Sequence, residues 1–326
     1  MNGLPGHTVP TYSEESREDT LLHYTTADGL IGILGKNEIW STAYYCTNDE
    51  SELSAGKDVL TPIFRSKTHQ MIQEADPRVE IFRNRGVDIR EYADKFEQTI
   101  LSFALNFFCV YITCLCKPNT KEDFLHGLLS QWRGYGIDGG YALQFSRSKL
   151  QARIEQAYND QHLMYELQNV YYSADNPLRD EVLKHSEAFT SAYLNNLDTL
   201  VNWHFYEQTM PSPIANLPGG PLESLLDYLI HTKNEHFSEE KECRMSFLQP
   251  VSSSSGALPI DYFNRNGLLV PYIRTPSTFN ILDCIDWIIV GPSPRIANRF
   301  NSVTQMVRKM GLKIKVRPSH IPFSRT

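Results

Sequence analysis

The chain has 326 residues, of which 41% are hydrophobic, an ordinary share for a globular protein with a buried core. Its 31 lysines and arginines stand against 38 aspartates and glutamates, and the net charge of −7 excludes a global basic field that would recruit nucleic acid or an anionic membrane. The most apolar stretch, residues 103–115, falls short of the roughly 20 residues that a membrane-spanning helix needs.

The six cysteines form no CxxC motif and no framework spacing of a small secreted domain, so we expect reduced and mostly structural thiols. The N-terminal segment lacks the basic region and apolar run of a signal peptide, and we therefore expect a cytoplasmic protein. Residues 1–19 are polar, carry Pro5 and Pro10 and show no apolar period, which predicts a flexible arm.

Strands and helices alternate in the first third of the chain. The segment LLHYTT at 21–26 has the β-branched and aromatic content of a strand, and a short helix is predicted over 28–37 with Asp28 as its N-cap. EIWSTAYYC at 38–46 predicts a second strand. The acidic segment 48–60 then predicts a helix, because acidic residues complement the dipole at a helix start.

The middle of the chain continues in the same manner. A helical pattern over 88–107 precedes an apolar, β-branched segment at 109–116, which predicts a buried strand. A helix over 121–136, a strand over 139–146 and a helix over 147–159 follow. The order is that of a mixed α+β protein.

A helical insertion is predicted over about 175–236, interrupted by a Pro- and Gly-rich surface loop. The last third contains strands at 240–248, 267–274, 284–291 and 313–316, with a helix over 294–310. Because strands are scattered along the whole chain, we predict one intertwined domain over 20–326 rather than two separable ones.

The segment EKECRMSF offers the first candidate site. Side chains alternate along a strand, so Glu240, Glu242, Arg244 and Ser246 are predicted to share one face, while the apolar face packs inward. Arg244 would keep Glu242 ionised, which suits a carboxylate that faces a developing cation. A solvated strand face with cross-strand ion pairs is the alternative, and on spacing alone the commoner one.

The first strand offers a second candidate. His23 and Thr25 are predicted on one face, with Tyr24 on the other, and this polar pair is suited to holding a ribose or an amide. A structural histidine is the alternative and the more frequent case.

Aromatic residues near a Gly-rich turn form a third candidate. Trp132 and Tyr135 lie at a predicted helix end, and Tyr141 lies on the strand that follows. Such rings can stack on a base or on nicotinamide, although core packing is the more frequent use of tryptophan.

A polar cluster follows a strand directly, where functional loops often lie, and consists of Asn48, Asp49, Glu50 and Glu52. A helix cap with a charged first turn explains it equally well. The sequence has no HExxH motif or close Cys/His set, so we expect no metal. It also lacks a Walker A loop, a GxGxxG motif after a strand and a GxSxG elbow, which removes the best evidence for kinases, Rossmann oxidoreductases and α/β-hydrolases.

Basic residues cluster near the C-terminus, at Arg308, Lys309, Lys313, Lys315 and Arg317. This run is the best local candidate for a phosphate track, and equally an ordinary solvated helix end and edge strand.

The collinear order of several short motifs resembles a widespread family of uncharacterised bacterial proteins. These motifs are HYT at 23–25, IWST at 39–42, NDExE at 48–52, QWxxY and GYALQF within 131–145, ExExR at 240–244, IIVGP at 288–292 and SHIPFSR at 319–325. That family is similar to the ADP-ribosyltransferases, and the likeness implies an α+β fold with a split antiparallel sheet and helices around an NAD cleft.

The resemblance implies roles for individual residues. Glu242 would orient the ribose 2′-hydroxyl of NAD, His23 would hold the ribose, and Glu240 would orient or deprotonate the acceptor. NAD is then a substrate, and no metal is required. The positions that the resemblance places around NAD are His23, Tyr24, Thr25, Trp40, Ser41, Asn48, Asp49, Trp132, Tyr135, Tyr141 and Arg244.

One difference from the ADP-ribosyltransferases concerns the acceptor that would be modified. Glu240 and Glu242 are similar to the paired glutamates of arginine-modifying members, but those members begin with arginine where this chain has His23. A first-strand histidine is more similar to the poly-ADP-ribosylating and diphthamide-modifying branches, or to toxins that modify nucleic-acid bases.

The function implied is transfer of ADP-ribose from NAD to RNA, DNA or protein by a bacterial toxin or phage-defence effector, with an antitoxin as a possible partner. Two alternatives stay open. One is an NAD-binding module without activity; the other is an NAD glycohydrolase or a nuclease that acts in abortive defence.

Overall fold

The structure is a computed structural model that describes most of the chain in six long ranges, with short pieces between them. These are residues 10–47, 108–135, 139–161, 165–172, 226–250 and 257–322, with positions 55–56, 58, 62, 65–66, 69–70, 73–74, 176–177 and 179–180. Asn48, Asp49 and most of the predicted insertion lie outside the described residues.

The chain divides into two compact units. The first comprises Met1–Thr47, Val110–Asn169 and His236–Thr326, and the second comprises Asn48–Cys109 and Val170–Glu235. The prediction of a single domain over 20–326 stays a prediction.

The strands are β1 (Thr20–Thr25), β2 (Trp40–Ala43), β3 (Phe108–Cys116), β4 (Tyr141–Ser146), β5 (Tyr165–Asn169), β6 (Tyr171–Tyr172), β7 (Thr232–Lys233), β8 (Glu242–Pro250), β9 (Ile260–Arg265), β10 (Leu268–Arg274), β11 (Ile285–Val290) and β12 (Lys315–Pro318). The α-helices whose full length is described are α1 (Glu14–Glu18), α2 (Ala27–Lys36), α3 (Lys121–His126), α4 (Leu129–Tyr135), α5 (Arg147–Gln161) and α6 (Ile296–Lys309). Short 3₁₀ helices cover Tyr44–Cys46, Glu235–Glu240, Ser277–Phe279 and Ile281–Cys284.

Ten of these strands form one sheet, in the order β12-β11-β4-β1-β3-β2-β10-β9, and β8 pairs with both β3 and β5. The assigned pairs are antiparallel except β11 with β12, which is parallel. The sheet therefore branches at β3, which pairs with β1, β2 and β8. The prediction of an α+β protein is confirmed, and its large sheet is mixed and mostly antiparallel.

Strand β1 lies inside the sheet, between β4 and β3. Its side chains alternate between two environments. Leu22 and Tyr24 pack on one side in a core cluster with Leu128, Trp132 and Ile289. No described helix is long and apolar enough to cross a membrane.

Helix α2 follows β1 after a single residue. The Thr26 side chain accepts a hydrogen bond from the Gly29 amide, so Thr26 rather than Asp28 is the N-cap. Leu30, Ile33 and Leu34 form the buried stripe, as the spacing predicts. Asn37 ends the helix with a left-handed backbone.

The predicted helix over 121–136 is two helices, α3 and α4. Gly127 ends α3 with a φ of +79°, a value that residues with a side chain rarely adopt. A Cβ there would lie 2.8 Å from the Trp132 indole nitrogen.

The sequence did not predict strand β9. Asn266 and Gly267, with φ of 53° and 90°, form the Asn-Gly hairpin turn that leads from β9 into β10.

Two glycines give opposite predictions for a substitution by alanine. At Gly291, directly after β11, a Cβ would lie 2.6 Å from the Gly140 carbonyl oxygen and 2.7 Å from the Trp132 ring. We expect Gly291→Ala to lower the free energy of unfolding by about 1–3 kcal/mol, since the core must shift. Gly32 in α2 has nothing within 4 Å of the same position, and Gly32→Ala is expected to raise it by about 0.5–1 kcal/mol.

Urea denaturation followed by circular dichroism measures both changes. A Gly291→Ala variant as stable as the wild type would contradict the packing of Trp132 beneath this turn.

Candidate functional site

The centre of the candidate site is a buried ion pair on β8. The Arg244 Nε donates to Glu242 Oε1 at 2.8 Å, and its Nη2 donates to Oε2 at 3.2 Å. The two side chains are only 1% and 3% exposed. Residues two apart on a strand share a face, which brings both groups together. The alternative of a solvated strand face is therefore wrong for these two residues.

Burial affects both the stability that this ion pair provides and its interaction with nearby charge. Taking two charges out of water is costly, so a buried ion pair is weak evidence for stability. The same low-polarity surroundings strengthen the interaction of the carboxylate with a positive charge that develops nearby. A bidentate guanidinium also fixes the plane of the carboxylate. Glu242 is thus a preorganised anion.

The other described side chains of β8 are also buried. Ser246 shares the face of Glu242 and Arg244, is fully buried, and its hydroxyl has no hydrogen-bond partner among the described residues. On the other face, Phe247 stacks on Tyr165 with ring centroids 4.5 Å apart. Burial raises the pKa of the Cys243 thiol to about 12, so this cysteine is protonated at neutral pH and is no nucleophile.

Glu240 lies outside the strand. It ends the 3₁₀ helix Glu235–Glu240, and Lys241 then takes a left-handed backbone with a φ of 46° before β8 begins. The prediction that Glu240 shares a strand face with Glu242 is therefore wrong, because the turn at Lys241 interrupts the alternation. Glu240 is half-buried at the entrance to the strand.

His23 has a defined tautomer. Its Nδ1 lies 3.0 Å from the Cys114 carbonyl oxygen, and a carbonyl only accepts, so Nδ1 carries the proton. Burial lowers the pKa of His23, and the bond to Cys114 opposes that shift only in part. The ring is then neutral near pH 7, and its Nε2 is a hydrogen-bond acceptor.

Tyr24 and Trp132 lie on the opposite face of β1 from His23. The Leu128 amide donates to the Tyr24 hydroxyl at 2.6 Å, and the two rings meet edge to face at 4.8 Å. The Trp132 indole donates to the His126 carbonyl at 2.9 Å, and its side chain is 1% exposed. Both rings are packed as core residues here. The position of Tyr24 around NAD and the stacking of Trp132 on nicotinamide stay predictions.

The other predicted positions are distributed over the sheet. Trp40 is half-buried and stacks on Tyr272 at 4.1 Å. Ser41 is fully buried and shares a 2.7 Å hydrogen bond with Thr113. The Arg299 guanidinium lies 4.5 Å from the centroid of the Tyr141 ring. Thr25 is half-buried at the end of β1, and Tyr135 ends α4, its side chain outside the described residues.

The two main candidate residues, His23 and Glu242, both lie near the C-terminal end of β3. His23 is bonded to the Cys114 carbonyl, and the Lys117 amide donates to the Lys241 carbonyl at 2.8 Å, directly before Glu242. The two attachment points are three residues apart, which is about 10 Å along a strand. The structure thus brings the backbones of His23 and Glu242 to the same end of β3.

One aromatic group near Trp40 was missed in the sequence. Phe263 on β9 and Tyr272 on β10 pack with Trp40 on one face of the sheet. The Asn-Gly pair at 266–267 is the signal that could have placed β9 beside β10.

The ion pair yields a stability prediction. Arg244→Met keeps the bulk of the side chain but leaves the buried Glu242 carboxylate without its guanidinium, so we expect the free energy of unfolding to fall by about 3–5 kcal/mol. The double variant Glu242→Gln with Arg244→Met should lose less than the sum of the single changes. Denaturation of all four proteins completes the cycle, and strict additivity would mean that the two side chains do not interact.

His23 yields a pH prediction. Because its pKa in the folded protein lies below the ordinary value of 6.5, protons bind the unfolded state first as the pH falls, and stability is lost below about 6.5. A His23→Asn variant should lose less stability than the wild type between about pH 7.5 and 5.5. An NMR titration should give a midpoint below 6.5 with the Nδ1–H tautomer at neutral pH. The control variant is His236→Asn, the same substitution at an exposed histidine.

Residues 131–245 match the profile of a family described as "Protein of unknown function (DUF2971)". This segment contains β4, β5 and the Glu242–Arg244 pair. Comparison with curated proteins and with solved structures gives no match, and none of these findings links the chain to ADP-ribosyltransferases. The similarity to this family is limited to residues 131–245, less than half of the chain.

Proposed function

We propose that this chain is an ADP-ribosyltransferase that moves ADP-ribose from NAD to a macromolecular acceptor, with Glu242 as the catalytic carboxylate. The observation that carries the proposal is the bidentate Glu242–Arg244 pair, buried on a strand. Because desolvation makes a buried ion pair weak evidence for stability, the fixed Glu242 carboxylate supports a chemical role.

The chemistry needs an anion of this type. The bond between ribose C1′ and the nicotinamide nitrogen breaks, and its electron pair leaves with nicotinamide. The acceptor atom then bonds to C1′ and gives up a proton. Positive charge develops on the sugar in between, as in glycoside cleavage, and a preorganised carboxylate stabilises it. Arg244 holds both oxygens of this carboxylate, which fixes the plane of the group.

His23 supports the same proposal. A ribose hydroxyl needs an acceptor, and the neutral Nε2 of His23 is one, since Nδ1 is held by Cys114. The neutral ring also adds no positive charge beside the sugar. Glu240, half-buried one turn before β8, would orient or deprotonate the acceptor.

The branched sheet is compatible with the finer fold assignment. β3 pairs with β2 in one arm and with β8 in another, and we infer that this is the split sheet of the ADP-ribosyltransferase type. The inferred cleft lies where the ends of β1, β3 and β8 meet. The assignment to a toxin or phage-defence effector with an antitoxin rests on the motif resemblance alone.

Glu242→Gln tests the catalytic role. The amide keeps the shape of the carboxylate but not its charge, so we expect transfer to fall by on the order of 10²-fold or more. Glu239→Gln, an exposed residue in the adjoining 3₁₀ helix, should transfer at the wild-type rate. Label from NAD retained on cell protein, RNA and DNA is measured in separate pools.

Two further readouts separate chemistry from folding. Circular dichroism must show the wild-type spectrum for Glu242→Gln, and calorimetry should show that it still binds NAD. Transfer at the wild-type rate by a folded Glu242→Gln would exclude Glu242 as the catalytic carboxylate. NAD binding without release of nicotinamide identifies a binding module instead, free ADP-ribose without a labelled macromolecule a glycohydrolase, and RNA cleavage without NAD a nuclease.

A further inference from the structure

A cavity of about 710 Å³ lies against the sheet where β1, β4, β11 and β12 come together. Its buried wall includes Thr20, Gln144 and Trp287, and its rim includes Lys313 and Lys315. The size is that of a small-molecule site. None of the described residues assigned to NAD lines it, so the cavity is separate from the Glu242 site.

The wall is built from one row of paired residues. Gln144 on β4 pairs with Trp287 on β11, and Trp287 pairs with Lys315 on β12. The Lys315 amino group lies 5.2 Å from the Trp287 ring centroid, and the Arg317 guanidinium lies 4.9 Å from it. Two cations of β12 are thus held on one aromatic ring beside the cavity.

Arg317 lies directly behind this wall. It is 5% exposed, donates to the carbonyls of Leu125 and Phe124 at 2.8 and 2.6 Å, and makes no ion pair with any described carboxylate. Its Nη1 is buried without a hydrogen-bond partner in the described part of the chain. Burial lowers the pKa of Arg317 to about 9, so it is still charged at neutral pH. A buried cation without an anion is costly.

Arg317 also fixes the orientation of Gln144. Its Nη2 donates to Gln144 Oε1 at 2.5 Å, so the amide nitrogen points towards Thr20 Oγ1, 3.3 Å away. A primary amide has two N–H donors. Only one is used by the described residues, and the side chain lines the cavity.

Two of the three carboxylates on the rim are already in ion pairs with basic side chains. Asp286 pairs with Lys149 at 2.7 Å, and Asp283 pairs with Arg153 at 3.4 Å. The carboxylate of Asp19 accepts hydrogen bonds from the Ser146 hydroxyl and the Ser148 amide.

Lys313 and Lys315, in contrast, make no ion pair with the residues that the structure describes. Lys315 begins β12 and Lys313 lies two residues before it, so the β12 side of the rim is positive.

We propose that this cavity binds a small organic phosphate, with the phosphate at Lys313 and Lys315 and the organic part against Gln144 and Trp287. Lysine is a common phosphate ligand because it acts as a point charge. The cavity is far larger than a bare phosphate ion, so the organic part has room for a sugar or nucleoside. The anion would also offset the buried charge of Arg317.

Calorimetry on the full chain tests the proposal with three probes: inorganic phosphate, ribose 5-phosphate and adenosine 5′-monophosphate. We expect at least one ester to bind with a Kd below about 1 mM, at least ten times tighter than inorganic phosphate, and more weakly as salt is added. Lys313→Ala with Lys315→Ala should weaken that binding at least ten-fold. Lys309→Ala, exposed on α6 and outside the cavity lining, is the matched control and should change nothing.

A second variant does not depend on loss of charge at the rim. Gln144→Glu is nearly isosteric and gives Arg317 a carboxylate partner, so we expect a higher unfolding temperature together with at least ten-fold weaker ester binding. Absence of saturable ester binding overturns the proposal. So does binding that the Lys313, Lys315 and Gln144 changes leave untouched, or inorganic phosphate binding as tightly as the esters. The test does not involve NAD, so it is independent of the proposed transferase activity.

Discussion

The position of β1 inside the sheet is the constraint on which the rest depends. A strand with neighbours on both sides has its backbone hydrogen bonds committed, and its side chains must alternate between two faces. Leu22 and Tyr24 enter the core that holds Trp132, while His23 is left on the other face with Cys114 as its partner. A slip of one residue would exchange the two sets and bury a histidine where a tyrosine packs. The tautomer of His23 follows from this register.

Two buried arginines distinguish the two candidate sites. Arg244 is paired with a carboxylate two residues away, whereas the hydrogen bonds that Arg317 makes to described residues go to two carbonyls and an amide oxygen. The first arrangement is a net-neutral pair that holds a carboxylate in a fixed position, and the second is a cation without a carboxylate partner among the described residues. The first is therefore suited to a developing cation and the second to a bound anion. Perturbed and buried ions cluster at functional sites more often than elsewhere.

The sequence predicts local structure well where one face of an element is apolar. Helix α2 follows from the spacing of Leu30, Ile33 and Leu34, which the structure buries. The sequence predicts the surroundings of β8 less well. Alternating polar residues normally indicate a solvated face, but Glu242 and Arg244 are covered, and what covers a strand is set by segments distant in sequence. No local pattern encodes that.

Alternation along β1 also limits which aromatic ring can serve the proposed NAD site. Tyr24 and Trp132 are on the wrong face to meet a ribose held by His23. Tyr141 is better placed, because it pairs with Thr25 and is the diagonal neighbour of His23 across the two strands, a distance at which long side chains still touch. The Arg299 guanidinium lies 4.5 Å from the centroid of its ring and donates to its hydroxyl at 3.3 Å. If His23 binds the ribose, Tyr141 is the ring that contacts nicotinamide, and the tryptophan preserves the strand register that puts both in place.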